Sequence, residues 1–325
     1  MGHEVGGFKL SKLYTIGEAL IDFIPDTRGI ELKNVTGFTK EAGGAPANVA
    51  CVVAKLGGSS AFIGKLGIDA FGDFLVETMQ AIGVDTSHVF RTNETNTALA
   101  FVSLKADGDR DFSFYRNPSA DMLLSEDEID GEWFAAGDIL HYCSVDLIEA
   151  PVKYAHLRAI EAMKAAGGMI SFDPNVRLPL WADQEQCRQT ILEFIPLSHL
   201  VKISSDELSF ITGIENEKEA IASLFVGDVQ AVVYTKGSEG AVWHTPSYEV
   251  SVPGQKVIVK DTTGAGDAFI GALLYQLQID KGTVEGLTAE HAKRIVAFAN
   301  AAAALTTTRA GAISSLPELH ELPSL

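Results

Sequence analysis

Apolar runs alternate with amphipathic stretches through most of the chain. SAFIGKLG (60–67) precedes AFGDFLVETMQAIG (70–83), DILHYCSV (138–145) precedes PVKYAHLRAIEAMKAAG (151–167), and GMISFDPN (168–175) precedes QEQCRQTILEFIP (184–196). HLVKIS (199–204) leads into DELSFITG (206–213), and EAIASLFVG (219–227) into AVVYTKG (231–237). Short apolar runs without polar alternation suit strands buried on both faces, and the intervening stretches have helical length. The pattern predicts an α/β fold: a doubly wound, mostly parallel sheet with helices on both faces.

Two segments break this rhythm. Residues 13–39 and 97–116 read as strands without accompanying helices, and in the second a turn at 106–110 joins two strands. Phe112, Phe114 and Arg116 alternate there with Ser113 and Tyr115, as a half-exposed strand requires. Such strands predict a small β-sheet standing off the main body, either as a lid over a ligand cleft or as an edge that pairs with a second copy in a homodimer. The alanine-rich run AFANAAAALTTT (297–308) predicts a tightly packed helix. No linker is rich enough in proline and glycine to divide the chain, so residues 1–325 are expected to form a single domain carrying the lid.

At 325 residues and 46% hydrophobic content the chain can bury a large core. A formal charge of -18 repels polyanions, which argues against nucleic acid or an anionic membrane as partner. A phosphorylated ligand therefore needs local help from helix N-termini, placed cations or a metal ion. Cys51, Cys143 and Cys187 show neither a CxxC pair nor zinc spacing and are expected to be buried thiols in a reducing compartment. The first ten residues carry no leader-like pattern and no stretch reaches membrane-spanning length, so a cytoplasmic location is expected.

The candidate chemistry lies at DTTGAGDAF (261–269). Gly264, Ala265 and Gly266 bring backbone N–H groups close to an anion where a helix begins, with its apolar run at 268–277. Asp267 either caps that helix or takes a proton from a hydroxyl beside the phosphate cradle. The chain contains no GxxxxGK[ST] loop and no protein-kinase set of Gly-rich loop, HRD and DFG. A dinucleotide fingerprint fails as well, because Phe269 stands at its third glycine position.

DTTGAGDAFIGAL together with GGAPANVA (43–50) resembles the paired signatures of the ribokinase, or PfkB-type, carbohydrate kinases. GEALIDF (17–23), ADGDRDFSFYRNPSADMLL (106–124), DPNVRLPLW (173–181) and TKGSEGA (235–241) extend the similarity, which within the family is greatest to fructokinases. The resemblance implies ATP-dependent phosphorylation of fructose at its 6-hydroxyl, with Asp267 as general base and the GAGD amides as anion hole. It places sugar contacts on Asp22, Gly43, Gly44 and Asn48. Arg116 and Asn117 close the lid strand and are expected to reach onto the ligand, while Asn175 and Arg177 follow a central strand, where open α/β sheets present ligand groups. The plainer readings of these residues are a turn cap for Asp22, a bend for the glycine pair, an early helix residue for Asn48, a solvated strand end for Arg116 and a surface ion pair for Arg177.

For the nucleotide, the resemblance implies Thr235, Gly237, Ser238, Gly240 and Asn300. The family's NxxE element, which organises magnesium through water, falls on Ser204 and Glu207, with serine where asparagine is usual. Mg2+ would arrive with ATP, and a potassium site is implied at Asp261, Thr263, Thr306, Arg309, Gly311 and Ser315. Two competing readings are a 2-keto-3-deoxygluconate kinase, for which Arg116 or Arg177 would pair a carboxylate, and a sensor without catalysis.

Overall fold

Runs such as Ile139–Cys143 and Met169–Asp173, buried at every position, form the centre of a nine-stranded sheet. The computed structural model describes residues 4–5, 8–9, 11–27, 29–104, 110–280 and 283–323. In chain order its longer strands are β1 (Leu13–Ile16), β2 (Leu20–Pro25), β3 (Phe38–Gly43), β4 (Ser60–Gly67), β5 (Val89–Thr92), β6 (Leu99–Leu104) and β7 (Arg110–Tyr115). They continue with β8 (Ile139–Cys143), β9 (Met169–Asp173), β10 (Leu200–Ser204), β11 (Ala231–Thr235), β12 (Gly240–His244) and β13 (Glu249–Pro253). The helices are α1 (Ala45–Lys55), α2 (Ala70–Ile82), α3 (Pro151–Ala165), α4 (Gln184–Phe194), α5 (Ser205–Thr212), α6 (Glu217–Ser223), α7 (Ala265–Ile279) and α8 (Ala289–Thr307).

The large sheet runs β13-β12-β11-β10-β9-β8-β1-β4-β5, with every pair parallel except the two made by β12. One apolar layer packs α1, α2, α7 and α8 on one face, and a second packs α3, α4, α5 and α6 on the other. This is the doubly wound, mostly parallel architecture the pattern predicts. From β1 the chain proceeds outward through β4 and β5, then returns to β8 and proceeds the other way. The reversal at β1/β8 opens a crevice beyond the carboxyl ends of the strands.

Four strands form the small sheet, in the order β3-β2-β6-β7. Stacked Phe23 and Phe101, 4.7 Å between ring centroids, pack one face of it with Phe38 and Phe71. One expectation is corrected here: Leu13–Ile16, counted with the lid because no helix follows it, lies in the middle of the large sheet. All four of its residues are buried, and Gly17, at φ +143°, lets the chain leave one sheet for the other within a few residues. The turn expected at 106–110 falls largely outside the described residues. Cys51, Cys143 and Cys187 are free and buried, and among the described residues no helix is long and apolar enough to cross a membrane.

Candidate active site

Two helix N-termini meet in the crevice. Gly44, at φ +103°, begins α1, and Gly264, at φ +73°, begins α7. Between them lies a cleft of about 280 Å³, lined by Glu18, Asp22, Gly44 and Asn48 together with Lys202, Glu207, Gly264 and Asp267. Leu20 and Phe114 from the small sheet roof it, and Asn175 and Arg177 enter from the segment after β9.

Asp267 is buried and sits in the first turn of α7, which starts at Ala265, three residues before the apolar run predicted. Asn48 Nδ2 donates to Asp267 Oδ2 at 2.7 Å, and Asn175 Nδ2 donates to Oδ1 at 3.4 Å. Asn175 itself is left-handed at φ +44°, a conformation that asparagine tolerates better than most residues. Burial raises the Asp267 carboxyl above its ordinary value, opposed by the Asn48 bond, Arg177, Lys202 and Asn175. A raised pKa brings a carboxylate closer to the range where a base removes a proton effectively. Of the α7 amides, Ala268 N donates to Gly264 O at 2.8 Å and Ala265 N turns back on Thr262 O at 3.3 Å. Both bonds leave Gly266 N and Asp267 N uninvolved, and Ala265 N, expected to face an anion, donates into the turn.

Lys202 and Glu207 occupy the facing wall. Glu207 Oε1 accepts from Val176 N at 2.7 Å, and Oε2 accepts from Ser204 N at 3.0 Å and Ser204 Oγ at 2.7 Å. Ser204 is therefore the N-cap of α5 and holds the carboxylate in place. Burial works against the Glu207 charge, but Lys202 and the bonds from Ser204 and Val176 outweigh it and hold the group below its ordinary range. Lys202 Nζ lies 2.9 Å from Asp173, whose carboxyl is raised by burial to about 6 in spite of that partner. No motif covers Lys202, yet a lone charge inside the apolar run 199–204 is a signal the sequence carries.

At the acceptor end the two glycines have separate reasons. A β-carbon on Gly43 would stand 2.1 Å from Asp22 Oδ2, so Gly43 makes room for Asp22 rather than lining the cleft. A β-carbon on Gly44 would meet Glu18 O at 2.5 Å, and the left-handed backbone excludes it independently. Glu18, which the motifs mark only as part of GEALIDF, is buried, and its Oε1 accepts from Ala45 N at 2.9 Å.

Arg116 departs from its expected place. Its guanidinium is buried among Asp121 and Asp146, donating to both, with Nε to Asp121 Oδ2 at 2.9 Å. A buried guanidinium must be paired, and two carboxylates claim it, so it stands behind the cleft wall rather than in the cleft. Asn117 is exposed, precedes a cis peptide to Pro118 and does not line the cleft. Arg177 is exposed at the mouth and donates to Val176 O at 3.0 Å.

Thr235 pairs with Ser204 across β10 and β11, which sets the 235–240 loop beside the cleft. Gly237 at φ +55° and Gly240 at φ +105° shape that loop, and Ser238 O packs against Gly254. Asn300, buried on α8, donates to Val252 O at 3.2 Å and Pro253 O at 3.3 Å, which ties the helix to the end of β13. Farther along, Asp261 accepts from Thr263 N at 2.9 Å and Gly311 N at 3.3 Å, joining the 261–263 and 309–316 segments. Thr306 and Ser315 spend their hydroxyls on Ala302 O and Ala312 O, and Arg309 turns outward to Glu321. Among the described residues no cluster of three His, Cys, Asp or Glu could hold a metal ion by itself.

Comparison with known proteins places this geometry. Residues 10–319 match the pfkB family carbohydrate kinases. Fructokinase-2 of Zea mays is 46% identical over 304 residues, covering 93% of this chain and 90% of the relative. The crystal structure of a fructokinase with bound ATP from Xylella fastidiosa is 36% identical, with a TM-score of 0.87 and coverage of 95% and 96%. A double-mutant fructokinase from Vibrio cholerae O395, bound to fructose, ADP and a potassium ion, is 37% identical, with a TM-score of 0.85 and 96% of each chain covered.

Proposed function

This chain belongs to the pfkB family of carbohydrate kinases, and on that premise we propose that it transfers the γ-phosphoryl group of ATP to the 6-hydroxyl of D-fructose, giving fructose 6-phosphate and ADP. The observation that carries the reading is the buried Asp267 carboxylate, held by Asn48 and Asn175 at the start of α7 where sugar and phosphate would meet. Asp267 takes the hydroxyl proton as the sugar oxygen bonds to phosphorus, and the bond to the ADP oxygen breaks. Phosphoryl transfer asks mainly for alignment and charge neutralisation, which the Gly266 and Asp267 N–H groups and the helix dipole supply.

Asp22, Gly44 and Asn48 hold the sugar in this reading, with Gly43 giving Asp22 its room. The small sheet acts as a lid, bringing Leu20 and Phe114 over the acceptor. Asn117 and Arg177 lie at the mouth, and Arg116 fixes the lid's root. The nucleotide runs from α7 toward the 235–240 loop, with Thr235, Gly237, Ser238 and Gly240 beside it and Asn300 behind. Mg2+ keeps most of its waters and needs few protein ligands, which fits a single held carboxylate at Glu207 with Ser204 as its support. Potassium at the 261–263 and 306–315 segments would fix the loop that leads into α7. The free edges of the lid, β3 and β7, suit pairing with a second copy, and sedimentation as a monomer at micromolar concentration would remove that part.

A coupled assay for ADP release across fructose, ribose, glucose and 2-keto-3-deoxygluconate, run in potassium and in sodium, tests the whole reading. We expect fructose to lead in kcat/KM by at least about tenfold, one decade in transition-state affinity, and potassium to raise the rate. Preference for the acid sugar would install the competing kinase, with Arg177 as its carboxylate partner. No ADP release with any sugar would favour a sensor, and indifference to the cation would remove the potassium site.

A further inference from the structure

Lys202 stands on β10 between the fully buried Val201 and Ile203, with its side chain on the cleft wall. Lysine is seldom held this far from water unless its charge is paired or used. The pairing here is partial in form: Asp173 Oδ1 accepts a bond from Nζ at 3.2 Å, while Oδ2, 2.9 Å away, lies outside hydrogen-bond geometry. An ammonium has three N–H donors, so at least one remains for a ligand. Across the cleft, a β-carbon placed on Gly266 would stand 3.6 Å from Nζ, which sets the ammonium against the first turn of α7. The Asp267 and Glu207 carboxylates both feel its charge. Nζ thus stands among the base, the held glutamate and the helix terminus. Burial opposes the ammonium form, but Asp173, Glu207 and Asp267 outweigh it and keep the group charged above the ordinary lysine range.

We propose that Lys202 is a further catalytic residue, whose ammonium contacts the transferring phosphoryl group and neutralises charge on its oxygens beside the α7 N–H donors. This deepens the kinase reading and rests on it. Lys202 moves no proton: the hydroxyl proton passes to Asp267, the new O–P bond forms as the bond to ADP breaks, and the ammonium is unchanged at the end. Asp173 keeps Nζ aimed at the site. Gly266 faces the ammonium, since a β-carbon there would be in van der Waals contact with Nζ.

Lys202→Met alone strands the buried Asp173 charge and risks unfolding, so the deciding variant is the double substitution Lys202→Met with Asp173→Asn, which removes both charges. We expect the double variant to keep a cooperative melt and near-normal ADP binding by calorimetry, while kcat falls about a hundredfold, the usual effect of losing one oxyanion donor. If the lysine served only to neutralise Asp173, the double variant would work within about fivefold of wild type, and that result overturns the proposal. Loss of the fold in the double variant overturns it too, because the pair would then be structural. Failure of the sugar assignment shows instead in the wild type, and the lysine is tested on whichever sugar the wild type phosphorylates.

Discussion

Glu18 is pulled in three directions. One oxygen accepts the Ala45 N–H at the start of α1, the other has no partner, and Arg116 nearby is already engaged by Asp121 and Asp146. Burial lifts the carboxyl to about 7, despite Arg116 and the backbone donors. The folded chain therefore holds a proton that the unfolded chain releases near the ordinary glutamate value. Stability from this group is greatest below that value and is lost as pH rises through about 7. Glu18→Gln keeps an acceptor for Ala45 and removes the ionisation. We predict that this variant melts higher than wild type at about pH 8, by roughly 1 kcal/mol or more, and that the gap closes toward about pH 5. Scanning fluorimetry across that range checks it, and a lower melting temperature at both ends would contradict it. Asp267, Asn48 and Asn175 were legible because each sits in a motif, whereas Glu18 and Lys202 acquire their chemistry from partners far away in sequence. Nothing local in GEALIDF shows that Ala45 lies above Glu18.

Helix starts do most of the positioning at the next scale. α1 carries Asn48 and α7 carries Asp267 close to their starts, so the two residues meet only if both helices begin where they do. Gly44 fixes the first of these starts. Gly44→Ala must place a β-carbon 2.5 Å from Glu18 O and 2.8 Å from Ala19 Cα on a backbone at φ +103°. Gly57, just past the other end of α1, has φ +86° and open space around it. We predict a loss of about 1 kcal/mol for Gly57→Ala, the backbone cost alone, and roughly 3 kcal/mol or more for Gly44→Ala, with KM for the sugar rising more than KM for ATP. Equal losses in chemical denaturation would refute the steric account. Periodicity identified the elements well where a strand alternates with a helix, as at Ser60–Gly67 and Ala70–Ile82. It misplaced Leu13–Ile16, because a strand buried on both faces and a lid strand look alike without a following helix. The antiparallel additions Gly240–His244 and Glu249–Pro253 went unread, since GAVWHTPSYEV follows the glycine loop without a helix of its own.

At the scale of the whole molecule, the order of strands makes the site. The reversal at β1/β8 opens the crevice, α1 and α7 point their N-termini into it from one face, and β9 and β10 deliver Asn175, Lys202 and Ser204 from below. A chain with a formal charge of -18 can accept a nucleotide there because both helix dipoles and Lys202 face the same small volume. The sequence announced the fold class and both motifs, but the convergence of Glu18, Lys202 and Asp267 required the sheet. In the proposed reaction this assembly binds both ligands while Asp267 takes the proton. Asp267→Asn preserves the shape and removes the base, so its kcat with saturating sugar and ATP, measured alongside calorimetric ADP binding, is the most direct test. We predict unchanged ADP affinity with kcat lower by at least about a hundredfold, whereas turnover close to wild type would contradict the assignment of Asp267 as base.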